Sequence, residues 1–379
     1  MLGRRKMIAM NSHAYDQIDS KQVTALIIMT IFPTLILLKP SILLRVNGKD
    51  APWVLLLAIF SGFLFARISV VIYRKFPAQR QTQTFFIAFG RWVGSVFCFI
   101  YLLVTLSLLV LIFREFAELA SWAFSYSDIP VSILLIMGGI LAFVMSVSGI
   151  EVIARMCQLF LPVSILVILV ILIAAVPWMN WSFLSPPIPE INQDLFLMAV
   201  HPAVFFSEGL LIGMFFPHVQ AKITELSRAM VSGMVWTGGI CLITLIGLVA
   251  FFGGKLGGDL TMPLLHLSKS IRYGTFISHM QVLLVPFLVS SISIKMAIVL
   301  HAISLGFQDL LKLQSHRMAA LFFAIISIAA ALMLFDNKAD LSHYHTKYGT
   351  YVLFPAFVTL TILPYSFVTL FHRARNGSA

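Results

Sequence analysis

The sequence predicts an all-α integral membrane protein of about ten transmembrane helices, arranged as five plus five with helices 1 and 6 broken. Three observations carry that expectation. The 379 residues are 60% hydrophobic and only 11% charged, where a soluble domain carries about 45–50% apolar and about 25% charged residues. Ten apolar runs are long enough to cross roughly 30 Å of hydrocarbon. Prolines interrupt the first and the sixth of them.

In order, the runs are 23–44, 52–72, 92–113, 131–147, 156–176, 195–216, 229–252, 280–305, 318–335 and 351–371. They frame an N-terminal segment at 1–22, a membrane domain at 23–371 and a tail at 372–379. The N-terminus begins with basic residues but lacks the apolar core of a signal peptide, so it is expected to stay as an extramembrane segment. The first run carries Pro33 and Pro40, with Lys39 near its outer end, where its ammonium is expected to snorkel. Between the fifth and sixth runs, 177–194 is rich in Trp and Pro, as an interfacial segment would be. The sixth run contains His201–Pro202 and then Ser207-Glu208-Gly209. The eighth places Ser290, Ser291 and Ser293 just before Lys295, making one face of that helix polar.

The 26 Lys and Arg against 15 Asp and Glu give a net charge of +11. Nucleic-acid binding needs a basic face on a soluble surface, and here the excess is read as loops obeying the positive-inside bias. With ten spans both termini share one side, which receives fifteen basic residues against eight on the other, so the termini are expected in the cytoplasm. Cys98, Cys157 and Cys241 fall in or beside apolar runs without paired spacing and read as small buried hydrophobes. The His343-Tyr344-His345 cluster has no neighbouring ligands and reads as an incidental loop, not a metal site. With no HExxH, GxSxG or P-loop, an intramembrane enzyme is rejected, and neither metal nor cofactor is expected.

Each proline in a helix removes a backbone donor and disturbs the carbonyl four residues earlier. Inside a bilayer such freed groups must find protein partners or a wet cavity. Paired interruptions in two halves of a transporter mark a site near the midplane. Glu208, in the second interruption, has two readings: a structural carboxylate bonded within the broken helix, or a coupling and gating group beside a ligand pocket. Lys295 has three: snorkelling, pairing with a core carboxylate, or occupying a cation-site position.

The stretch SGIEVIARMCQLFLP at 148–162 resembles the signature between the fourth and fifth spans of spore germinant receptor B subunits. These are the endospore-germination permeases, a branch of the amino acid–polyamine–organocation superfamily. DAPW at 50–53, KFP at 75–77, GRWVG at 90–94, FREFAEL at 113–119, Ser-Glu-Gly at 207–209 and MPLLHLSKSIRYGTFI at 262–277 follow the same order. The resemblance implies a LeuT-like fold in the inner membrane of dormant spores, a membrane-anchored A-type subunit and a lipoprotein C-type subunit as partners, and a small-molecule nutrient as ligand. Carried onto this sequence, it implies a pocket touching Pro33, Thr34, Tyr101, Thr105, Phe206, Ser207, Glu208 and Ser291. Two departures stand out: Thr-Ile-Phe-Pro-Thr at 30–34 replaces a glycine-containing stretch, and Glu-Gly replaces Gly-Glu in the sixth span. Glu151 and Arg155, four apart on one helix face, are expected to serve a structural or subunit-docking role. A nutrient sensor and a proton-coupled transporter of amino acids both remain open.

Overall fold

The computed structural model describes residues 16–37, 39–123, 129–185, 193–272, 280–335, 341 and 344–376. The expected segments at 1–15 and 377–379, and His343, lie outside these residues. In chain order the α-helices are α1 (Ser20–Leu37), α2 (Lys39–Asn47), α3 (Ala51–Lys75), α4 (Gln81–Ala123), α5 (Val131–Val147) and α6 (Ile150–Ala175). They continue as α7 (Gln193–Ser207), α8 (Ile223–Asp259), α9 (Pro263–Ser270), α10 (Gln281–Leu311), α11 (Arg317–Leu334) and α12 (Phe354–Asn376). A 3-10 helix, Glu208–His218, prolongs α7, and a π-helical stretch, His345–Leu353, precedes α12. Among the described residues nine segments have the length and apolarity to cross a membrane, and the 17-residue α5 is a shorter apolar helix beside them.

Burial separates a centre from a shell. In α1 every residue from Ala25 to Leu37 is buried, because α6, α8, α10 and the 3-10 helix pack around it. From Ser291 to Gly306, α10 is likewise buried on all faces. By contrast, α5 exposes Ile136, Met137 and Ile140, and α6 exposes Leu159, Leu166 and Ile173. Large apolar side chains on a continuous outer face suit lipid, not water. The hydroxyls inside this core mostly cap their own helices: Thr30, Thr105, Ser291 and Ser304 each donate to the carbonyl four residues back.

Two glycines shape the chain where it turns. Gly90 has φ of 74° and bends α4, so that residues 81–89 fold back on the span proper. Gly149, in the 148–162 stretch, has φ of 95° and starts α6, where Asp16 Oδ1 accepts the Glu151 N–H at 3.3 Å. Any Cβ at 149 would lie 2.7 Å from that same oxygen. The Ile18 N–H donates to the His218 carbonyl and the Gln220 N–H to the Ile18 carbonyl, both at 2.9 Å, tying the entry to α1 to the end of the 3-10 helix.

Pro33 lies inside α1, which stays helical through it. The sixth span changes character more: Pro202 lies inside α7, and the helix tightens to 3-10 geometry at Glu208. A 3-10 run of eleven residues is unusual, since its side chains eclipse and its hydrogen bonds are poorer than those of an α-helix. Close packing holds it, because a Cβ at Gly209 would meet Met234 of α8 at 2.3 Å.

Candidate functional site

Where α7 tightens, four elements contribute to one buried polar chain. Lys295 Nζ of α10 donates to Glu208 Oε2 at 2.6 Å and to Thr34 Oγ1 of α1 at 2.7 Å. Thr34 in turn donates to Glu115 Oε2 of α4 at 2.6 Å. The Lys295 side chain is 0% exposed and that of Glu208 8%. Unlike its neighbours, Thr34 spends its hydroxyl across the bundle, relaying the lysine's donor to a second carboxylate. Charge-assisted bonds of this length are the strong class, and they fasten α1, α4, α10 and the sixth span at one point.

A cavity of about 50 Å³ opens beside this chain. Val104, Leu108 and Leu111 of α4 form one wall, Val204, Phe205, Ser207 and Glu208 a second, and Gly349, Leu353, Phe354 and Phe357 a third. Glu208 therefore faces two ways: its Oε2 holds Lys295, while the residue also lines the cavity. Its Oε1 accepts no hydrogen bond among the described residues. Ser207 lines the cavity too, with its hydroxyl donated to the Val204 carbonyl at 2.5 Å. The lining is almost wholly apolar apart from these two side chains, a surface suited to a small molecule with an apolar body and one polar end.

The expected site residues divide on this geometry. Thr34, Ser207, Glu208 and Lys295 come together, with Pro33 one residue before Thr34 in α1. Four others take packing positions outside the cavity wall. Thr105 caps its own helix. Tyr101 is buried between Phe85 and Phe357, with ring centroids at 5.9 and 5.5 Å. Phe206 is turned towards Gly62 of α3, where a Cβ would meet its ring at 3.0 Å. Ser291 faces α6, its Oγ 3.2 Å from that of Ser164. Glu151 and Arg155 form an ion pair on the surface of α6, remote from the cavity in sequence and burial, with 70% of the arginine side chain exposed.

Sequence reasoning missed two residues. Lys39 does not snorkel: it is 1% exposed, with its Nζ 4.2 Å from the Phe205 ring centroid. The packing of α2 against α8 and α3 leaves that ammonium no route to an interface. Glu115 was the second, and a count could have found it. Within FREFAEL, Arg114 and Glu118 pair at 2.8 Å as i,i+4 neighbours, and Glu115 is the acidic residue of that stretch that accepts from Thr34 of α1.

A sequence profile of the family described as spore germination protein matches residues 17–340. The chain belongs to the spore germination permease family. This permease is 22% identical over 303 residues to spore germination protein XB of Bacillus anthracis, covering 80% of this chain and 83% of that one. It is 24% identical over 306 residues to spore germination protein KB of Bacillus subtilis (strain 168), covering 78% and 79%. Among solved structures it resembles MhsT in complex with L-phenylalanine, with a TM-score of 0.70, 13% identity, and 90% and 88% of the two chains covered. A Na+-coupled sialic acid symporter gives a TM-score of 0.66 at 12% identity, covering 91% and 79%. The permease thus has the LeuT-type transporter fold, as the resemblance implied, and it is a multi-pass membrane protein.

Proposed function

We propose that this permease is the B subunit of a spore nutrient-germinant receptor, binding a small nutrient such as an amino acid in the cavity at Glu208 and triggering germination. The observation that carries this reading is the Lys295–Glu208 ion pair on the cavity wall, continued through Thr34 to Glu115. A ligand that meets Glu208 pushes on a group joined to Lys295 of α10 and, through Lys295 and Thr34, to α1 and α4. Occupancy then shifts the balance between two packings of these helices, which is how a contiguous buried network transmits binding. Pro33 supports movement in α1, since its missing N–H leaves the Met29 carbonyl without its usual donor.

The signal passes to a membrane-anchored A-type subunit and a lipoprotein C-type subunit, in the spore inner membrane with this chain's termini in the cytoplasm. The relatives' names and the basic residues on the terminal side support this placement. The exposed Glu151–Arg155 pair offers a docking point for a partner. A second reading, proton-coupled transport of amino acids, is favoured by the transporter fold and by a carboxylate that faces both a cavity and a buried lysine.

Spores and vesicles separate the two. Sensing requires that Glu208→Leu abolish the nutrient response of spores while A- and C-type subunits still co-purify with the chain. Pure chain in vesicles should then accumulate no nutrient under a pH gradient. Gradient-driven uptake by the chain alone would replace the receptor reading with transport.

A further inference from the structure

Lys39 has no place in the polar chain described above. It is 1% exposed, and its Nζ makes no hydrogen bond among the described residues. The charged groups that act on it are Glu115, Glu208 and Lys295. Its Nζ lies over the ring of Phe205, 4.2 Å from the centroid, and Phe205 lines the cavity. Burying an ammonium without hydrogen-bonded partners is costly, and a ligand oxyanion would give Nζ the hydrogen bonds it lacks among the described residues. An aromatic face offers a cation a weaker hold than an oxyanion does.

We propose that Lys39 is the receptor for the ligand's carboxylate, with Phe205 as the cover that a ligand displaces to reach it. The inference rests on the cavity being the nutrient site. Phe205 stands three residues before Glu208, about 4.5 Å along a helix, and both line the cavity, so the ammonium under Phe205 and the Glu208 carboxylate belong to the same wall. Together they suit a compact zwitterion whose ammonium meets Glu208 and whose carboxylate meets Lys39. The apolar side chain then fills the space bounded by Val104, Leu108, Leu111 and Phe357. Lys39 would thereby set specificity for carboxylate-bearing nutrients over sugars and nucleosides.

The test uses the full-length chain in lipid nanodiscs and four sets of probes. These are L-alanine, L-valine, L-leucine and L-phenylalanine; their carboxamides; 4-methylpentanoate; and glucose with inosine. Wild type should bind at least one amino acid tenfold or more tightly than its carboxamide. In Lys39→Gln that ratio should collapse to within twofold of one, through lost amino-acid affinity with carboxamide affinity unchanged. Lys39→Arg, which keeps charge and donors and so guards against a folding defect, should retain the preference. Binding of 4-methylpentanoate as tight as L-leucine would support the carboxylate receptor and remove Glu208 from recognition. A preference left intact in folded Lys39→Gln overturns the proposal. Binding of glucose or inosine but of no amino acid also overturns it while leaving the cavity as the nutrient site. Failure of wild type to bind any probe overturns both.

Discussion

Breaking the Lys295–Glu208 pair from either side should cost unequal amounts, and the inequality follows from the bonds each partner keeps. Removing one member of a buried ion pair costs about 3–5 kcal/mol, because the other is left charged and desolvated. In Glu208→Leu, Lys295 still donates to Thr34 and lies one hydroxyl away from Glu115, so the cost should fall near the lower figure, about 3 kcal/mol. In Lys295→Met, Glu208 loses its hydrogen-bonded cation, and the Thr34 relay to Glu115 loses its source. That variant should sit near the upper figure, about 5 kcal/mol. The double variant should be more stable than the singles' sum by at least about 2 kcal/mol, since an apolar replacement of both partners leaves no unpaired charge at 208 and 295. Equilibrium unfolding of the four proteins in mixed micelles measures this. Single costs that add to within about 0.5 kcal/mol would refute a direct, desolvated pair.

Other consequences are separable from that one. Glu208→Gln keeps shape and most hydrogen bonding, so receptor abundance should hold while the spore response to nutrient falls at least severalfold; unchanged germination rates would show the charge to be idle. Arg155→Glu places two carboxylates four residues apart on an exposed helix face, costing only a few tenths of a kcal/mol in the chain itself. It should nevertheless lower recovery of the partner subunits in pull-downs from spore membranes, and normal recovery would remove that face from docking. His316, half-buried in the turn before α11 with its ring edge-on to His301 at 5.0 Å, has its imidazole held below its ordinary 6.5 by burial, partly offset by the Ser146 carbonyl. The unfolded chain therefore binds the proton first, and His316 withdraws stability as pH falls from about 6.5 downward. Melting curves between pH 7.5 and 5 should show a smaller acid-side loss for His316→Phe than for wild type, and parallel losses would contradict the assignment.

What was legible in the sequence follows from what the bilayer forces. Helices must be long and apolar to satisfy their backbones in lipid, so the spans from Val23 to Phe371 could be read before any packing was known. Glu208 announced itself because a carboxylate in an apolar run has few explanations. Its partner was open among three readings of Lys295, since the contact joins residues 87 apart in the chain. Glu115 and Lys39 were harder for the same reason at span ends. Near an interface a charged residue is ordinarily solvated, and only the packing of neighbouring helices buries these two. Tyr101, Thr105, Phe206 and Ser291 show the converse. Residues on the expected helices were identifiable, but which face of each helix meets the cavity depends on helix rotation, and a 3-10 run after Ser207 changes that rotation from 100° to about 120° per residue.

The central claim is that the cavity beside Glu208 holds the nutrient, and filling it is the most direct test. Leu108→Trp adds an indole to the apolar α4 wall without touching Glu208, Lys295, Thr34 or Lys39. Nutrient binding measured on the intact receptor complex, side by side for wild type and Leu108→Trp at equal complex abundance, should show at least a tenfold loss of affinity in the variant. Equal affinities would place the nutrient elsewhere on the receptor.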